Sequence, residues 1–377
     1  MTKISNVYEA LYSWDNLYNA YREAGRGKWF RDDVARFTAN LEENLIQIQN
    51  ELMWHTYKVG RYREFYVYEP KKRLIMALSF KDRVVQWAIY RQINDIFDKQ
   101  FISDSYGCRN GKGTHRAADR LQYWMRAVDR KPGDWYYLKL DISKYFYRVD
   151  HRTLMDILRR KIDDEDLLWL LDVIINCEHT AFGLPLGLNP DQCDKPDRLT
   201  EVGMPIGNLT SQLFANLYLN ELDQFAKHEL QLHYYVRYMD DMIILSNDKQ
   251  HLHEVKDKIE TYLNEELRLH LNNKTAIRKT KAGIEFVGFS IFATHRKYKK
   301  KSLRKLKSRL QYVAKEYAAG RMTLESVDST VQSYYGAMQH FNSYGLRRKL
   351  LETVVFKRTT PEGGINLKDL NEGGEGS

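Results

Sequence analysis

Three carboxylates carry the chemistry that this sequence can do. Asp240 and Asp241 are adjacent in YYVRYMDDMIIL, where β-prone apolar runs bracket the two acids as at the tip of a hairpin. Asp also favours turns for its own hydrogen-bonding reasons, so an isolated Asp-Asp pair is equally well explained by a plain turn. A third acid changes the balance: Asp141 closes a second strand-like run, YYLKLDISKYFYRVDH, far upstream. Two carboxylates ~4 Å apart in a half-shielded site repel by several kcal/mol, so a cation must hold them together. Three of them on two strands suit a pair of metal ions ~3.5–4 Å apart, which stabilise the attacking and leaving oxygens of an in-line phosphoryl displacement.

The elements that must position these acids are legible by their periods. LEENLIQIQNELMW places Leu41, Leu45, Ile48 and Leu52 on one helical face, and Val7, Leu11 and Leu17 mark an earlier amphipathic stretch that breaks at Gly25 to Lys28. A basic turn, Lys71, Lys72 and Arg73, separates two β-prone runs, where a hairpin tip can neutralise phosphate or simply face solvent. Asp82 and Arg83 then read as a structural pair at a helix start. Gly107, Gly111 and Gly113 alternate with Arg109, Lys112, His115 and Arg116 in a loop that opens a helix, either mobile or close to a phosphate backbone. Residues 151–177 read as a helical stretch, and residues 181–203, rich in Gly, Pro and Asp, as a loop insertion. Gly203 to Gln212 forms a turn into a helix with Thr210 or Ser211 near its start. Downstream, Leu252, Val255, Ile259 and Leu263 share another helical face. Between Ala293 and Leu310 there are nine Lys or Arg and no acid. With Ser302 as cap and Leu303, Leu306, Leu310 and Val313 inward, Arg304, Lys305 and Arg309 stay exposed, as a phosphate-binding face or as ordinary solvated surface.

Composition sets outer limits. The 377 residues suffice for two or three lobes, and 43% hydrophobic content excludes wholesale disorder. The net charge of +9 matters through its clustering. No apolar run approaches ~18 residues and the N-terminus shows no signal pattern, so no membrane span and a cytoplasmic location are expected. Cys108, Cys177 and Cys193 are odd in number and lack paired metal-ligand spacing, as fits a reducing compartment.

Tyr238-Met239-Asp240-Asp241 after a strand, with Asp141 and an aromatic five residues beyond it, resembles the palm of reverse transcriptases. The resemblance implies an α+β right-hand polymerase with an antiparallel palm sheet and a helical thumb. Fingers would take residues 1–130, the palm 131–292 with 163–200 inserted near the fingers, the thumb 293–360, and a flexible tail 361–377. It also implies roles. Asp141, Asp240 and Asp241 would be the catalytic metal ligands for two Mg²⁺. Lys72 and Arg73 would meet the triphosphate of the incoming dNTP, and Phe146 would exclude a ribose 2′-OH. Ile206 and Gly207 would border the base, and Lys274 would act at the leaving pyrophosphate as general acid or charge stabiliser. Arg109, Lys112, Ser211, Gln212, Arg304, Lys305 and Arg309 would contact template or primer, with Gly288 in a turn gripping the primer end.

Group II intron-type enzymes carry Gln-Gly-x-x-x-Ser-Pro where this chain has Ile206-Gly207-Asn-Leu-Thr-Ser211-Gln212. Both departures resemble the reverse transcriptases of diversity-generating retroelements. That branch implies error-prone, adenine-mutagenic cDNA copied from a structured template-repeat RNA, an RNA–DNA hybrid product for diversifying a target gene, and an oligomeric basic accessory variability protein. The alternatives are another bacterial reverse transcriptase (intron maturase, retron or phage-defence type) or a non-catalytic RNA-binding relative.

Overall fold

The computed structural model describes residues 3–68, 72–177 and 181–358; Lys71 and the 361–377 tail lie outside them. The chain divides into two units, residues 1–120 with 131–280, and residues 121–130 with 281–377.

The first unit opens with helices α1 (Tyr8–Tyr12), α2 (Trp14–Gly25), α3 (Asp32–Ala39) and α4 (Leu41–Met53). Leu11, Leu17, Leu45, Ile48 and Leu52 are fully buried, as their 3.6-residue spacing requires. A two-stranded hairpin, β1 (Arg63–Val67) and β2 (Arg73–Ala77), leads into α5 (Phe80–Asp98), which packs along α2. The Ser79 side chain caps α5 by accepting the Asp82 N–H. Helix α6 (Thr114–Asp129), whose residues from Leu121 onward count with the second unit, precedes β3 (Tyr136–Asp141), and α7 (His151–Lys161) and α8 (Glu165–Ile175) follow it. Asp150 and Asp164 cap α7 and α8, and Asp164 also accepts the Val7 and Tyr8 N–H groups, tying the N-terminus to the middle of the chain. Residues 181–203 form the expected insertion, irregular but for a short 3-10 turn and isolated bridges such as Gly183 with Leu199.

Helix α9 (Leu209–Gln224) packs on α5 and leads to β4 (Tyr235–Tyr238), β5 (Asp241–Ser246), α10 (Lys249–Glu265) and β6 (Ala276–Lys279). The strands form one antiparallel sheet in the order β4-β5-β3-β6. Leu138 and Leu140 of β3 and Met242 and Ile244 of β5 join the main core, and α10 covers β3, β5 and β6. Leu252, Val255, Ile259 and Leu263 of α10 are buried as expected.

The second unit holds a three-stranded antiparallel sheet, β7 (Ile284–Phe286), β8 (Phe289–Ile291) and β9 (Arg296–Tyr298), then α11 (Lys300–Ala318), α12 (Leu324–Met338) and α13 (Tyr344–Thr353). Leu306, Leu310 and Val313 turn inward, with Leu306 and Leu310 packing on Met338 and Leu350. Ser302 is not the cap anticipated from sequence. The helix starts earlier, at Lys300, behind Lys299, and no side chain caps it.

Asp82 and Arg83 also differ from expectation, because they do not pair with each other. Successive helix positions point about 100° apart. Asp82 is buried and accepts hydrogen bonds from Tyr57 Oη (2.8 Å), Ser79 Oγ (2.6 Å) and the Gly60 N–H (3.3 Å), while Arg83 reaches outward to Asp33. Asp82→Ala, which strands three donors, is expected to lower unfolding stability by about 3 kcal/mol in urea titration, whereas Arg83→Ala costs under about 1 kcal/mol.

Candidate active site

Strand register brings the acids together. Antiparallel pairing sets Asp141 directly opposite Asp241, on the same face of the sheet. Tyr238 also pairs with Asp241, so β4 and β5 are joined by the two-residue turn Met239-Asp240, which places Asp240 at the same edge. All three acids are half-buried. Burial first, and then the charge of Asp141, push the Asp240 carboxyl up to about 6; a backbone hydrogen bond and the charge of Arg73 oppose them.

A cation already sits among the acids. Lys139 Nζ lies 2.8 Å from Asp241 Oδ1 and 3.0 Å from Oδ2. Reading from residue types missed it, although the signal was present: Lys139 precedes Asp141 by two, which in a strand is the same face. Among the described residues no group of three His, Cys, Asp or Glu side chains forms a ready-made metal cage. The acids are neighbours through register, not a closed shell. Their hard oxygen donors and the raised pKa of Asp240 nevertheless fit a divalent, oxygen-seeking ion.

The turn rests on a buried polar network that the sequence did not advertise. Arg237 and Asp223, both fully buried, meet in a bidentate pair, with Nε to Oδ1 at 2.8 Å and Nη2 to Oδ2 at 2.6 Å. Tyr235 Oη donates to Asp223 at 2.7 Å. The remaining Arg237 nitrogen, Nη1, donates to Asn216 Oδ1 and to the Met239 carbonyl, each at 3.3 Å. Behind the turn, residues 104–107 run beside β4, with the Tyr106 N–H on the Arg237 carbonyl at 3.0 Å. A Cβ on Gly107 would fall 2.6 Å from Met239 Cγ, so this glycine serves close approach to the turn.

The expected nucleotide residues gather around the acids in part. Arg73 opens β2 and is exposed, and its charge is felt at Asp240. Lys72 turns instead onto the Tyr66 ring, 4.6 Å from its centroid. Of the three aromatics after Asp141, Tyr145 and Tyr147 are buried and Phe146 is half-buried, packing with Ile206 against a small core that contains Leu74, Met76, Tyr147 and Phe182. The Ile206 carbonyl accepts the Met76 N–H at 3.2 Å, and Gly207, at φ +117°, has Ile75 where a Cβ would point. Lys274 is exposed just beyond Asn272, whose N–H donates to the Asp141 carbonyl at 2.7 Å.

The expected template contacts divide. Arg109 is corrected: its guanidinium binds Asp98 (2.6 Å) and the carbonyls of Ile102 and Ser105 (2.7 and 2.9 Å), which pins the glycine-rich loop to α5 and leaves phosphate without the donors foreseen for it. Lys112 likewise bends back to the Ser103 carbonyl at 2.8 Å. Ser211 is buried, whereas Gln212 is exposed and lines a cavity of about 880 Å³ with Trp87, Tyr90, Leu209 and Tyr238. In the second unit, Val287 (φ +42°) and Gly288 (φ +91°) form the β7–β8 turn, and Arg304 and Arg309 are exposed on α11 with Lys305 half-buried.

The family model described as reverse transcriptase (RNA-dependent DNA polymerase) matches residues 68–291, which include all three acids and the whole four-stranded sheet. The chain belongs to this enzyme family, and its fold is the right-hand polymerase fold, mixed α and β with an antiparallel sheet. Among relatives, Protein YkfC of Escherichia coli K12 is 26% identical over 296 residues, covering 69% of this chain and 74% of that protein. The group II intron-encoded protein LtrA of Lactococcus lactis is 23% identical over 364 residues, covering 76% of this chain and 57% of LtrA, so the chain spans little more than half of that relative. A solved telomerase from Candida tropicalis aligns over 78% of this chain and 60% of its own, at 14% identity and a TM-score of 0.46. No helix among the described residues is long and apolar enough to cross a membrane.

The raised Asp240 carboxyl has a thermodynamic signature. Between the unfolded value near 4 and the folded value of about 6, the folded chain holds a proton that the unfolded chain releases, so stability falls as pH rises through that window. In chelator-treated protein, Asp240→Asn is expected to gain on the order of 2 kcal/mol at pH 7.5 and nothing at pH 4, measured by urea unfolding.

Proposed function

We propose that this chain is an RNA-directed DNA polymerase that copies a structured template RNA into cDNA in the cytoplasm, with Asp141, Asp240 and Asp241 as the ligands of two Mg²⁺. The observation that carries this reading is the register of Asp141 against Asp241 with Asp240 in the adjoining turn. When bound, the ions would lower the barrier to 3′-hydroxyl attack and neutralise the triphosphate. The chain's own residues do the positioning. Arg73 meets the phosphates of the dNTP. Phe146, backed by the buried Leu74 and Tyr147, fills the space a 2′-OH would need. Lys274 serves the departing pyrophosphate by charge or by proton donation. Gln212 borders the template, and Gly288, Arg304, Lys305 and Arg309 serve the primer and the hybrid. In this scheme residues 1–130 act as fingers, 131–292 as palm and 293–360 as thumb.

Within the family we assign the chain to the diversity-generating branch. Ile206 puts an apolar side chain beside the base where the intron enzymes carry an amide, which removes hydrogen bonding that helps reject misfits. Error-prone copying at template adenines follows, with an oligomeric basic accessory protein as partner. The likeness to LtrA favours a second reading, an intron-maturase type of enzyme.

Primer extension on RNA with dNTPs and Mg²⁺ tests both levels. Asp240→Asn with Asp241→Asn is expected to reduce extension by about a thousandfold without unfolding the chain; full activity would mean that these acids are not catalytic. Sequencing the product should show errors concentrated at template adenines and fewer of them in Ile206→Gln. Uniformly accurate cDNA from the parent chain points to the maturase reading, and equal error rates in the two chains remove the role given to Ile206.

A further inference from the structure

The geometry points to Arg237 as a positioning residue: its buried guanidinium holds the Met239-Asp240 turn in register, and Asn216 couples that hold to the loop behind it. Three observations converge. First, Met239 adopts φ +53°, a left-handed conformation that a side chain other than glycine takes only when its surroundings impose it. Second, the Met239 carbonyl is held from below by Arg237 Nη1, the nitrogen left over after the guanidinium has saturated both oxygens of Asp223. Third, Asn216 divides its amide between the two supports of the turn. Its oxygen accepts from Arg237 Nη1 at 3.3 Å, and its nitrogen donates to the Gly107 carbonyl at 2.7 Å. Gly107 in turn abuts Met239 so closely that no side chain fits there.

A buried ion pair is a poor device for stability alone, since apolar residues of similar volume often do as well. Its value here is directional. Asp223 fixes the plane of the guanidinium, and that plane fixes where Nη1 points. The helix bearing Asn216 and Asp223, the loop bearing Gly107 and the strand bearing Arg237 therefore converge on Met239, next to Asp240, with Arg237 alone donating to its carbonyl. The assignment rests on the reading of Asp240 and Asp241 as the reactive carboxylates, but its physical content, a turn held by Arg237, can be measured without any reaction.

The test replaces the pair with apolar residues. Asp223→Leu combined with Arg237→Met keeps the volume, removes the desolvated charges and abolishes the donor to Met239. The expected result is a folded protein in which the Met239 to Met242 amides exchange hydrogen at least about tenfold faster while those of Tyr137 to Leu140 are unchanged, and in which primer-extension kcat falls about a hundredfold with KM for dNTP little altered. Arg237→Lys serves if the double variant does not fold; it keeps the charge beside Asp223 but cannot span both Asp223 and Met239, and the same faster exchange is expected. Parental exchange at the turn in a folded variant overturns the assignment. Should the parent chain prove unable to extend a primer, the proposed function fails, and the exchange experiment still decides this inference.

Discussion

Three carboxylates at one end of a four-stranded sheet repel one another, and much of the first unit is arranged to hold them there regardless. The ladder between β3 and β5 does the largest share, because a register that places Asp141 opposite Asp241 cannot be relieved by one side chain swinging away. It would have to slip by a residue and turn Leu138 and Leu140 out of the core. The repulsion shows in the raised Asp240 carboxyl, together with its burial. It is moderated by Lys139 on the sheet face and by the charge of Arg73 from the hairpin.

The same constraint explains why so much polar structure lies beneath an apolar strand. Val236, Ile243 and Ile244 are buried as ordinary sheet residues, yet Arg237, next along β4 and opposite Met242, is fully buried too and needs a partner of opposite charge, which Asp223 supplies with Tyr235 and Asn216 completing its shell. A charge buried under the turn offers a rigid donor to a backbone carbonyl in a place where water cannot compete. An apolar residue would pack there and leave the turn to its own conformational preferences.

On the nucleotide side, β2 is the common ground. Arg73 opens it, Leu74 and Met76 form the floor that meets Phe146 and Ile206, and its backbone receives the Ile206 carbonyl. Three segments distant in sequence thus share one wall, and a change at Ile206 reaches Phe146 through the cluster on which both pack. The basic helix of the second unit is built differently, with Leu306, Leu310 and Val313 as its buried stripe and its cations on the open side.

Where local period governs, the sequence was sufficient. The helical stripes of α4 and α10 and the strands that end at Asp141 and flank Met239-Asp240 follow from spacing, because side-chain direction repeats every 3.6 or 2 residues whatever the rest of the chain does. Lys139 obeys the same rule and was legible in principle. The partners were not legible. Arg109 looks like a phosphate ligand until Asp98 and two carbonyls claim it; Asp82 and Arg83 are adjacent yet bind Tyr57 and Asp33; Gly107 belongs to a loop in sequence and to the carboxylate turn in space. Spacing says which way a side chain points, and only the folded chain decides what it meets there, since a hydrogen bond or ion pair forms over about 3 Å of space irrespective of the number of residues between its ends.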